Sequence, residues 1–230
     1  MSEHLNKPGE GQVTICRFDP ERDAAAHDET YAFPYTPGMS VLDVLLWLYE
    51  NVDGSLSFAY DCRNSHCGLC GMRIDGRPGL ACREAAPERF RLDPLANLPV
   101  IRDLLVERED YAQRLAASRL FLERETPRPA NGEIEAVDMP AFDRFKQASR
   151  CVACYCCLSA CPVFTAHPQE FLGPAAFTQL ARHAFDPRDD ASRKLTAKSG
   201  RIDLCLLCGK CSAVCPHYAD PCGAIAVLRE

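Results

Sequence analysis

Twelve of the fifteen cysteines in this 230-residue chain fall into three spaced runs, and those runs constrain the fold more than any other feature. The first is Cys62-x4-Cys67-x2-Cys70, closed by Cys82. The second, Cys151-x2-Cys154-x2-Cys157-x3-Cys161-Pro162, recurs 54 residues later as Cys205-x2-Cys208-x2-Cys211-x3-Cys215-Pro216. Disulfide stapling is not needed here, because 47% apolar residues suffice for an ordinary core. The N-terminal residues MSEHLNKPGEGQ carry no secretory pattern, so the expectation is a reducing compartment, where cysteines in such numbers serve as metal ligands.

The first run has the spacing of a plant-type ferredoxin loop and is expected to wrap a [2Fe–2S] cluster. Bridging sulfides and four thiolates concentrate negative charge, so the loop must aim backbone N–H groups inward. Gly68, Gly71, Gly76 and Gly79 permit that approach. Zinc is the alternative, but it favours separated cysteine pairs and suits the x4-x2 spacing poorly. His66, inside the loop, reads as an ordinary loop histidine because four thiols are already present.

The repeated runs have the two-cluster bacterial ferredoxin pattern, in which the fourth cysteine of each run ligates the other run's cluster. One cluster then takes Cys151, Cys154, Cys157 and Cys215. The other takes Cys205, Cys208, Cys211 and Cys161. Both are expected to be [4Fe–4S], the second becoming [3Fe–4S] if Cys208 is not a ligand. Three cysteines remain: Cys16, in a strand pattern, reads as a small buried hydrophobe; Cys156 reads as packing; Cys222 reads as a non-ligand.

Charge and periodicity organise the rest. Residues 1–105 hold 10 basic against 16 acidic side chains, 106–150 hold 8 against 9, and 151–230 hold 8 against 7, so the net −6 is N-terminal. No basic stripe argues for nucleic acid. Residues 151–169 lack Asp, Glu, Lys and Arg, yet five cysteines and two prolines make them a poor membrane span. Gln12–Phe18 and Glu29–Thr36 read as a hairpin, with Pro34 at an edge. Pro37-Gly38 makes a turn, and Ser40 with Asp43 forms a capping box ahead of an amphipathic helix from Val41. Asp103–Arg124 reads as a largely exposed helix running into a connector at 126–140, and Gly173–Phe185 as a short helix. The expected domains are 1–105, a [2Fe–2S] ferredoxin-like domain; 106–140, helix and connector; and 141–230, an α-helical domain with two clusters.

The order and size of these parts, with DCRNSHCGLCGMRIDGRPGLAC (61–82), LANLPVIRDLLVE (95–107), CVACYCCLSACPVF (151–164), EFLGPAA (170–176) and CSAVCPHYADP (211–221), resemble the iron–sulfur subunit of succinate dehydrogenases and fumarate reductases, the latter branch more closely. The resemblance implies an α+β fold, a β-grasp [2Fe–2S] domain followed by the helical two-cluster domain. It also implies an electron relay between the FAD of a flavoprotein subunit and a quinone or quinol at a membrane anchor, with the chain peripheral on the inner, cytoplasmic face of the cytoplasmic membrane. No side chain here is then a catalytic acid or base. A related flavoprotein with another substrate, or a soluble or thiol electron partner, is the alternative; a free-standing carrier is a third reading, disfavoured by length.

Three positions depart from the family pattern. Most members lack a cysteine where this chain has Cys208. The tryptophan that succinate dehydrogenases place near the quinone is Ala166 here, and Trp47 is the chain's only tryptophan. Arg229 aligns with a lysine that fumarate reductases use near the quinone, making it the one candidate quinone contact.

Overall fold

In this computed structural model the described residues are 9–125, 134, 135 and 137–230. The chain divides into two compact units, Met1–Glu107 and Arg108–Glu230.

The first unit is built on a hairpin, β1 (Gly9–Arg17) and β2 (His27–Tyr35), paired antiparallel with Val13 opposite Tyr31. Alternation places Val13 and Ile15 in the core. Helix α1 (Val41–Asn51) starts at the Ser40–Asp43 capping box, with both reciprocal bonds formed, and buries Val41, Leu42, Val44, Leu45 and Leu48. Strands β3 (Gly71–Ile74), β4 (Arg77–Leu80) and β5 (Arg89–Asp93) complete a sheet of order β2-β1-β5-β3-β4, in which β1 and β5 are parallel and the other pairs antiparallel. This is the expected β-grasp arrangement, and Pro34 lies on its edge strand.

Cys16 differs from expectation. Strand alternation turns it away from the Val13–Ile15 face, where it is half-buried beside Asp93, Arg91 and Asp28. Burial, with Asp93, pushes its thiol above the ordinary range.

Arg17, 8% exposed, is the polar anchor of this unit. Its Nε donates to Asp103 Oδ1 at 3.0 Å, and its Nη groups donate to Glu29, Tyr31, Asp53 and Ser55. Asp103 also accepts from the backbone N–H groups of Phe18 and Ser57, both at 2.9 Å. Burial opposes ionisation of Asp53, yet bonds from Ser55 and Arg17 hold its carboxyl far below the usual range.

The helix expected over Asp103–Arg124 begins later. Val100–Arg102 and Leu105–Val106 form strands β6 and β7 of a small hairpin, turning at Asp103 in the left-handed region (φ 47°). Helix α2 runs only over Glu109–Ala117. It is also not simply exposed, because Tyr111 (3%) and Leu115 are buried in the second unit. The connector expected at 126–140 lies largely outside the described residues.

The second unit is helical: α3 (Met139–Ala148), α4 (Cys156–Ser159), α5 (Pro162–Ala166), α6 (Pro174–Ala184), α7 (Arg193–Ser199), α8 (Lys210–Ala213) and α9 (Pro221–Arg229). Buried Phe171, Phe177, Leu180, Leu158 and Ile225 form its core, with α6 central and packed on α3, α7 and α9. Gly173 precedes α6 at φ 93°, and a Cβ there would stand 2.6 Å from Leu158 Cδ1, so only glycine fits.

Candidate iron–sulfur sites

All fifteen cysteines are free thiols, twelve of them gathered in three neighbourhoods. In the first unit, the loop before β3 folds around Cys62. Its Sγ accepts from the backbone N–H groups of Asn64, His66 and Cys67 at 3.4, 3.2 and 3.3 Å, and Cys82 Sγ accepts from Ser65 N–H at 3.2 Å. Arg63 and Ser65, both at φ 52°, and Gly68 at φ 72° provide the left-handed steps that turn successive amides inward. Cys70 Sγ lies 3.3 Å from Cys82 Sγ. Amides from Asn64 and Cys67 draw the Cys62 thiol down to about 7, whereas burial pushes Cys70 up to about 12. His66 contributes its backbone; its residue is exposed.

In the second unit, two cavities each gather thiols from both runs. Cys151, Cys154, Cys157 and Cys215 line the first, with about 330 Å³ of space between atoms. Cys161, Cys205, Cys208 and Cys211 line the second, of about 320 Å³, and Cys222 lines it too. Each cavity is thus lined by three cysteines of one run and the fourth cysteine of the other. The backbone repeats with the sequence: Ala153 and Leu207, each two residues into its run, share φ 50°, and Tyr155 (φ 66°) is matched by Gly209 (φ 74°). These steps aim amides at sulfur, as Leu207 N–H does at Cys205 Sγ (3.5 Å). Cys161 Sγ accepts from Phe164 N–H at 3.5 Å and Cys215 Sγ from Ala219 N–H at 3.3 Å.

Among the described residues, no three His, Cys, Asp or Glu side chains converge tightly enough for a single metal ion. Four thiols spread around a cavity suit a polynuclear cluster, whose irons sit at its corners, and the inward amides suit its negative charge. The residues thus fit iron–sulfur groups. Burial pushes Cys151 up to about 11 and holds Cys157 well above the ordinary thiol range, a cost that bound iron would offset. Cys154 goes the other way, to about 7, through a hydrogen bond from Cys156 and, against burial, the charge of Arg108.

Arg108 and Tyr111 belong to the site although no cysteine spacing points to them. The Arg108 guanidinium lies 4.5 Å over the Tyr155 ring and donates to Ala153 O at 2.7 Å, bracing the first run. Tyr111 packs edge-on against Tyr155 and Phe164, and its hydroxyl donates to Leu172 O (2.8 Å) while accepting from Ala176 N–H. Their only sequence signal is the stretch EFLGPAA, which the Tyr111 contacts hold. Cys156 is fully buried, in keeping with packing. Arg229 is exposed, and its Nη1 donates to Cys205 O at 2.9 Å.

Residues 12–113 match the model of a 2Fe-2S iron-sulfur cluster binding domain and 147–219 that of a 4Fe-4S dicluster domain. The chain is 39% identical over 222 residues to the fumarate reductase iron-sulfur subunit of Mycobacterium tuberculosis, covering 93% of this chain and 89% of that protein. The chain belongs to the fumarate reductase and succinate dehydrogenase iron–sulfur subunit family. Another such subunit, from Haemophilus influenzae, is 35% identical over 230 residues, with the same coverage of both chains. A subunit of the fumarate reductase (CoM/CoB) of Methanothermobacter marburgensis is 34% identical over 94% of this chain, which spans 43% of that longer protein. A chain of the Mycobacterium smegmatis Sdh1 complex superposes with a TM-score of 0.84 over 96% of this chain and 95% of its own; at 22% identity this bears on the fold. As a family member the chain is an electron-transfer subunit of an oxidoreductase complex. No helix among the described residues is long and apolar enough to cross a membrane.

Proposed function

We propose that the chain carries electrons one at a time between the FAD of a flavoprotein subunit and a quinone or quinol held at a membrane anchor, in a complex that interconverts succinate and fumarate. In this reading Cys62, Cys67, Cys70 and Cys82 hold a [2Fe–2S] cluster. Cys151, Cys154, Cys157 and Cys215 hold a [4Fe–4S] cluster, and Cys205, Cys208, Cys211 and Cys161 a second one. When bound, such clusters supply one-electron redox steps, and that is the whole of their chemistry here. The chain's residues give thiolate ligands, aim amides at the sulfurs and exclude water; none performs proton transfer on the dicarboxylate.

The observation that supports the reading is that Cys215 lines the cavity of the first run and Cys161 that of the second. A fourth thiol at Cys208 favours a cubane over a [3Fe–4S] centre at the second site. A cubane there would have the lower potential, which suits a low-potential quinol donor and the fumarate-reducing direction. Arg229, on the Cys205 carbonyl, supplies a cation beside that site and is the proposed quinone contact. The complex is proposed to lie on the cytoplasmic face of the membrane. The similarity to the CoM/CoB-type enzyme favours one second reading, the same relay serving a thiol electron donor in place of quinol.

The test is purification of the native complex without oxygen, with flavin analysis, EPR redox titration, and succinate and fumarate assays with quinols and thiols. Two cubane signals beside the [2Fe–2S] signal are expected. A three-iron signal in protein never exposed to oxygen overturns the second cubane. Cys215→Ser is expected to abolish the cluster of the first run while sparing that of the second; the reverse loss overturns the exchange.

A further inference from the structure

The two cluster cavities are not equivalent. Four cysteines line the first, but five line the second, because Cys222 joins Cys161, Cys205, Cys208 and Cys211. The internal repeat does not supply this fifth thiol: seven residues beyond Cys215 stands Cys222, while seven beyond Cys161 stands Pro168.

The backbone of Cys222 is fixed beside this cavity. It occupies the first turn of α9, whose N-cap Asp220 accepts from Gly223 N–H at 3.2 Å. Asp220 also accepts from Ser212 Oγ at 2.7 Å, and Ser212 Oγ in turn accepts from Cys222 N–H at 2.9 Å. Ser212 adjoins Cys211, so one short network ties the Cys222 backbone to a wall of the cavity. Cys222 thus shares one cavity lining with Cys161, Cys205, Cys208 and Cys211.

Cys208 is the weak member of the set. It is exposed, whereas the other three ligands are half-buried or buried, and its loop presents Leu206 (70% exposed) and Leu207 to solvent. An exposed thiolate is the one that oxidants reach first.

We propose that Cys222 is a reserve ligand of the second cluster, able to take the iron otherwise held by Cys208. This rests on the two-cubane reading above. In the exchange, the Fe–S bond to Cys208 breaks and one to Cys222 forms, and the Cys222 proton passes to the departing Cys208 thiolate. No electron is transferred. The consequence is a second site that keeps four irons where a four-cysteine site would lose one to dioxygen, by one-electron oxidation and release of Fe²⁺.

The test compares the unsubstituted complex with Cys208→Ala, Cys222→Ala and the double variant, purified without oxygen, by iron content, Mössbauer and EPR spectroscopy. Both single variants are expected to keep a four-iron second cluster, and only the double variant to lose an iron and show the oxidised three-iron EPR signal. A three-iron signal in Cys208→Ala equal to that of the double variant overturns the proposal, as does a four-iron cluster in the double variant. A three-iron cluster already present in the unsubstituted protein marks failure of the two-cubane reading instead, and the proposal falls with it. Should Cys208→Ala fail to fold, exposure to air decides with Cys222→Ala alone. It is expected to convert to the three-iron form several-fold faster than unsubstituted protein, and equal rates overturn the proposal.

Discussion

Arg108 shows how a single side chain outside the ligand set tunes a site. Its guanidinium stacks on Tyr155 and holds Ala153 O, and its charge adds to the Cys156 hydrogen bond that chiefly draws the Cys154 thiol down. A cation beside a centre that gains negative charge on reduction favours the reduced form. Arg108→Gln is therefore expected to lower the potential of the first four-iron cluster by on the order of 50 mV, close to a tenfold change for a one-electron couple. Arg108→Lys should restore most of it, separating charge from stacking. Redox titration followed by EPR measures both; an unchanged potential in Arg108→Gln shows that the guanidinium acts only on geometry. Residue identities group the thiols into runs, because ligand spacing is a local code. They do not reveal that Ala153, Tyr155 and Leu207 take left-handed backbone, since none of these types favours it and the sulfur-directed amides impose it. Gly209, opposite Tyr155 in the repeat, is the one visible trace.

Among elements, those legible in the sequence are the ones whose determinants are contiguous. The Ser40–Asp43 box starts α1 as written, and the Gln12–Phe18 alternation becomes β1. Leu104, Leu105 and Val106 mislead, because an apolar cluster beside acidic residues looks like a helix face, whereas a tight turn at Asp103 makes it a hairpin. That turn is set from far away: Asp103, 1% exposed, is fixed by Arg17, Phe18 and Ser57, contacts no local pattern announces. Asp103→Ala strips the buried Arg17 of one carboxylate and leaves two amides without their acceptor. A loss of about 3–5 kcal/mol is expected for breaking such a pair. Urea unfolding followed by the visible absorbance of the [2Fe–2S] chromophore reports it, because Ser57 leads into the segment carrying Cys62. A midpoint unchanged from the parent would assign the network no part in holding that segment.

The two units of the molecule differ in what holds them up. The first has a continuous apolar core between a five-stranded sheet and α1, from Val13 and Ile15 through Leu45 to Leu92, with its four proposed ligands in one loop and beside β4. In the second, the helices that carry or are capped by the proposed ligands, α4, α5 and α8, are four or five residues long, too short to persist without outside support. Buried Cys154, Cys157 and Cys211 stand where a core would otherwise place aliphatic side chains, and burial raises Cys157 and Cys211 as thiols. Metal binding and folding are therefore coupled far more tightly in Arg108–Glu230 than in Met1–Glu107. Iron removal by a chelator under reducing conditions is expected to abolish hydrogen-exchange protection across α4, α5 and α8. Protection in β1, β2 and β5 should survive, while residues 60–70 lose theirs. Parallel loss of protection in the sheet would mean that the first unit, too, depends on its cluster to fold.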